Sequence, residues 1–108
     1  MRAGIERIVA LGRMPDSTAA TVEEVERWEA VLGAAPDPIT DEEAMALVAC
    51  FGSDDFFGLA FSIRHLVETA PSWPIWEALT GAGPWVEDLV ARARNSGYQP
   101  PVIDEEGS

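Results

Sequence analysis

Lysine is missing altogether. All seven cationic side chains are arginines, at positions 2, 7, 13, 27, 64, 92 and 94, and they face nineteen aspartates and glutamates. The chain has one cysteine and one histidine. A lone Cys50 excludes an internal disulfide and a thiolate zinc cluster, and its apolar neighbours in MALVACF make it a small buried hydrophobe rather than a reactive thiol. A lone His65 excludes the paired-histidine zinc pattern. No apolar run approaches the roughly 20 residues of a membrane span. No P-loop, dinucleotide fingerprint or nucleophile elbow is present. The opening MRAGIERIVALGRMPDS has too short an apolar core for a secretory signal, and its Glu6 is foreign to a transit peptide, so the chain reads as cytoplasmic.

What is present is acid, unevenly placed. The net charge is −12, of which residues 21–60 carry −9, while residues 1–20 carry +1. Such a surface repels nucleic acid and anionic lipid and attracts a basic protein with a salt-sensitive association rate. Ordinary solubility charge explains the same numbers equally well.

At 108 residues the chain has the size of one domain. The patterning predicts an all-α bundle of four to six helices over residues 1–98, followed by a mobile acidic tail, 99–108. Ile5, Ile8 and Val9 form a first short stripe closed by Gly12. Thr21 with Glu24, and Thr40 with Glu43, have capping-box spacing. Val22, Val25, Trp28 and Leu32 share one face. The segment from Ala44 is apolar enough to be buried on most sides and is ended by Gly52. A central helix over 54–70 follows, with Asp54 or Asp55 at its start, where a carboxylate meets free N–H groups and the positive end of the dipole. Phe56, Leu59, Ala60, Ile63, Leu66, Val67 and Ala70 make its apolar face, and Gly58, Ser62, His65 and Thr69 leave room on another for a close approach. WPIWEAL makes one or two turns. Pro84 opens a last helix that Gly97 closes.

His65 and Glu68 stand at helical spacing where side chains meet. With no second histidine they make a surface position, Arg64 and Glu68 being the ordinary i, i+4 pair. No catalytic residue, metal ligand or cofactor is assigned; the alternative is a small enzyme or metal protein using His65.

The span TDEEAMALVACFGSDDFFGLAFSIRHLVETAP, residues 40–71, resembles one HEAT-type repeat, which implies an antiparallel helical hairpin at the core and a role as an adaptor or structural interaction module. In size, acidity and helical content the whole chain resembles the small immunity proteins that neutralise bacterial toxins. That resemblance implies a non-enzymatic inhibitor, monomeric or weakly dimeric, which offers carboxylates and aromatics to a basic toxin cleft such as that of a nuclease. The residues it points to are Glu23, Glu24, Glu26, Asp41, Glu42, Asp54 and Asp55, with Trp73 and Trp76 as aromatic anchors. Trp28 and Trp85, on apolar faces, belong to the core.

Overall fold

Reciprocal caps fix where two of the helices begin. In the computed structural model, which describes residues 1–81 and 83–100, the Thr21 hydroxyl accepts from the Glu24 N–H at 3.1 Å while the Glu24 carboxylate accepts from the Thr21 N–H at 2.8 Å. Thr40 and Glu43 repeat the exchange at 3.2 and 2.9 Å. These caps open α2 (Val22–Gly33) and α3 (Asp41–Val48). Around them stand α1 (Ala3–Leu11), α4 (Ala60–Glu68), one turn of 3-10 helix (Trp76–Leu79) and α5 (Pro84–Asn95), with no strand among the described residues. The chain is a small all-α domain. No helix of the described residues is long and apolar enough to cross a membrane.

The α3–α4 pair is the most extensive helix contact, and α1 lies against both α2 and α3. The pair is antiparallel. The Ile39 N–H, just before α3, donates to the Thr69 hydroxyl just after α4 at 3.1 Å, and the Ser72 N–H donates to the Asp41 carboxylate at 3.0 Å. Ile5 and Ile8 of α1, Trp28 of α2, Ala44 and Leu47 of α3, Ile63, Leu66 and Val67 of α4, and Trp85 and Leu89 of α5 form one continuous core. Burying each large apolar side chain among them contributes about 1.5–3 kcal/mol. Cys50 belongs to the same core, and burial pushes its thiol up to about 11.

Several expectations are corrected. The central helix starts at Ala60 and not at 54, because Asp54 Oδ1 accepts from the Phe56 N–H at 3.0 Å. That local bond turns the chain instead of propagating a helix. Phe56, Phe57 and Gly58 then take positive φ values of 47°, 58° and 86°. Gly52 does not cap α3, which ends at Val48; it is buried, and a β carbon there would strike the Met14 carbonyl. Val22 does not join the buried face of α2 but is 73% exposed. Met45 of α3 is also exposed, so that helix has a solvent side. Gln99 and Pro100 continue the chain beyond α5, and the rest of the expected tail, 101–108, lies outside the described residues.

Candidate functional site

Between α3 and α4 the chain makes a corner from acids and aromatics. Asp16, in the α1–α2 connector, accepts at Oδ1 from the Thr18 N–H and hydroxyl at 2.9 and 2.7 Å, and at Oδ2 from the Ser53 hydroxyl at 3.0 Å. Asp54 accepts at Oδ2 from the N–H and hydroxyl of Ser17. Its backbone carbonyl accepts from the Trp85 indole N–H at 3.1 Å. Hydrogen bonds, from Thr18 to Asp16 and from Ser17 to Asp54, hold both carboxyls below their ordinary value; for Asp54 desolvation and, less strongly, the neighbouring Asp16 charge work against this. Donors that favour the ionised form therefore keep two close carboxylates charged. Neither belongs to an ion pair among the described residues, and exposed Asp55 adds a third uncompensated charge.

Phe56 enters the core from this turn and meets the Trp28 ring edge-on, centroids 6.3 Å apart. Phe57, the next residue, tilts against the outer side of the Phe56 ring with centroids 5.7 Å apart and is 63% exposed. Phe61, the second residue of α4, is 43% exposed. It stands edge-on to Trp85 at 5.5 Å and carries the Arg64 guanidinium over its face at 4.8 Å. A continuous helix over 54–70 would put Phe57 and Phe61 beside its apolar face, and no sequence pattern marks Asp16. The one local signal for the turn was Gly58 after two aromatics.

The sequence-predicted binding residues separate into two groups. Glu23, Glu26, Glu42 and Asp55 are exposed. Glu24, Asp41 and Asp54 are half-buried and occupied: Glu24 by its cap, Asp41 by Ser72, Asp54 by Ser17 and Phe56. Trp73 and Trp76 are half-buried and pack against the core from its edge. Trp76 walls an apolar cavity of about 460 Å³ with Leu79, Val90, Arg94 and Pro100. Trp28 and Trp85 are core residues, as their faces predict.

His65 and Glu68 do not meet. His65 Nε2 lies 2.8 Å from Asp37 Oδ2 at an open surface, the imidazole 65% exposed. The expected Arg64–Glu68 pair is also replaced: Arg64 reaches Asp88 at 3.4 Å, and Glu68 takes Arg92 Nη2 at 2.9 Å. Both pairs join α4 to α5, since partners across an interface outcompete a neighbour on the same helix whose pairing carries little energy. His65, Ser62, Phe61 and Leu66 line a groove of about 350 Å³ with Leu32 and Ala35. Among the described residues no three His, Cys, Asp or Glu side chains are grouped to hold a metal. Compared with protein-family models, curated proteins and solved structures, the chain matches none.

Proposed function

We propose that the chain is a non-enzymatic inhibitor of the immunity-protein type, which binds a basic protein effector such as a nuclease and covers its substrate cleft. The supporting observation is the exposure of Glu23, Glu26, Glu42 and Asp55 without an ion-pair partner among the described residues. A cleft that holds nucleic acid must carry positive potential. Glu23, Glu26 and Glu42, fixed on short, capped helices, replace phosphates there at little cost in ordering, and the summed field of all four speeds encounter.

Reversing Glu23, Glu26, Glu42 and Asp55 together to lysine is expected to slow association with the basic protein retained from native lysate by at least about tenfold at low salt. Stopped-flow mixing measures it, with circular dichroism checking the fold. Equal rates in a folded variant would reduce the acids to a solvated surface. Glu24, Asp41 and Asp54 are poor sites for this test, because their reversal removes caps and connector bonds as well as charge.

The groove between α2 and α4 favours a second reading, a HEAT-like adaptor that receives a partner helix over Ser62, His65 and Leu66. Its binding would persist in high salt, where steering by exposed charge is screened.

A further inference from the structure

The turn that separates α3 from α4 breaks two local rules at one residue. Phe57 has a bulky side chain at φ 58°, a region where residues other than glycine, asparagine and aspartate are strained. It also holds its ring out in water, 63% exposed. Phe56 shares the strain, but complete burial against Trp28 accounts for it. Phe57 tilts against the Phe56 ring, centroids 5.7 Å apart, yet that contact leaves most of its own ring in solvent. Glycine or asparagine would turn the chain with less strain and expose no ring. Positions where local preference is violated without a folding gain are where binding function concentrates.

The surroundings specify what covers the ring. Asp16, Asp54 and Asp55 flank the turn with no cation in an ion pair to any of them among the described residues. Phe61, also exposed, adds apolar surface on the far side of Gly58, where an added β carbon would stand 3.9 Å from its ring. Arg64, over the Phe61 face, is itself paired with Asp88. A large apolar centre beside uncompensated carboxylates is complementary to a segment that presents an apolar side chain flanked by arginine or lysine. A second copy of this chain, with the same acids, is repelled.

We propose that Phe57, together with exposed Phe61, is the anchor of the protein-binding surface, and that it docks an apolar side chain of the partner while exposed Asp16 and Asp55 receive the flanking cations. This rests on the reading that the partner is a basic protein. The left-handed turn fixes the backbone that carries the anchor, and the Phe56 ring 5.7 Å away restrains the Phe57 ring, so less freedom is lost on binding. Trp73 and Trp76, at the edge of the core, are not required.

Selection from a random peptide library on the intact protein tests this. Enriched peptides are expected to combine arginine or lysine with a large apolar residue. Phe57→Gly is expected to weaken them at least about tenfold, while its thermal midpoint stays level or rises, because glycine takes this φ without strain. A fall of several degrees in that midpoint would make Phe57 part of the scaffold and overturn the anchor. Basic peptides that bind Phe57→Gly as tightly as the parent would overturn the anchor and leave the acidic-surface reading standing. Enrichment of neutral or acidic peptides, or no enrichment, would overturn both.

Discussion

Glu43→Ala is expected to remove about 3 kcal/mol of unfolding free energy at neutral pH. The side chain is 1% exposed, and its carboxylate accepts from the Arg2 backbone N–H at 3.0 Å, Arg2 Nε at 3.1 Å, Arg2 Nη2 at 2.6 Å and the Thr40 N–H at 2.9 Å. It therefore closes the cap of α3 and ties the start of α1 to it in one step. The value reflects the lost cap of α3 and the lost charge-assisted hydrogen bonds, and it is no larger because the Arg2 side chain is half exposed and regains water. Arg2 hydrogen bonding, first by the side chain and then by the backbone, outweighs desolvation and holds the Glu43 carboxyl far below the carboxylate range. A depressed folded value gives stability that is complete above the unfolded pKa of about 4.3 and is lost as pH falls towards the folded one. The gap between wild type and Glu43→Ala is thus expected to narrow steadily below about pH 4. Urea unfolding at neutral pH and at about pH 3 measures both; a loss under about 1 kcal/mol with parallel acid limbs would show that the buried pair contributes no net stability.

Phe56→Ala is expected to cost about 3–5 kcal/mol, the range for truncating a fully buried aromatic ring. The backbone strain at φ 47° remains in the variant, so nothing offsets the lost packing. The ring joins the α3–α4 turn to Trp28 of α2, and its removal leaves a cavity that rigid helix ends collapse into poorly. Unfolding followed by tryptophan fluorescence reads stability and the altered surroundings of Trp28 together. A cost under about 1 kcal/mol would mean that the turn re-forms without its buried ring. The contrast with Phe57→Gly, one residue along, separates the half of the turn that holds the fold from the half available to a partner.

The sequence announces helix starts better than it announces what helices meet. Thr21, Thr40 and Pro84 mark starts by short-range rules, and each marks a real one. The start of α4 was concealed because Phe56, Leu59, Ala60 and Ile63 fit helical periodicity whether or not the backbone is helical. The decision is made by an Asp54 bond to Phe56 that competes with helix propagation. Arg64 and Glu68 illustrate the complementary limit: their spacing is right, but α5 brings Asp88 and Arg92 nearer. The acidity of the surface was legible as a sum. Which carboxylates are free depends on donors far away in sequence, Ser17 for Asp54 and Ser72 for Asp41, and no local pattern reveals them.

The position of Asp54 sets how the molecule breathes. Its side chain holds the Ser17 and Phe56 amides, and its carbonyl holds the Trp85 indole of α5. A connector, a turn and a terminal helix are thus latched at one residue. The Ser17 amide lies in an irregular stretch that would ordinarily trade its hydrogen for solvent deuterium through small, frequent fluctuations. Here it is released only when the latch opens, so its exchange is expected to keep pace with the indole of Trp85 rather than with the exposed amides around it. The α1–α2 connector then belongs to the same cooperative opening unit as α5, although the two lie near opposite ends of the chain.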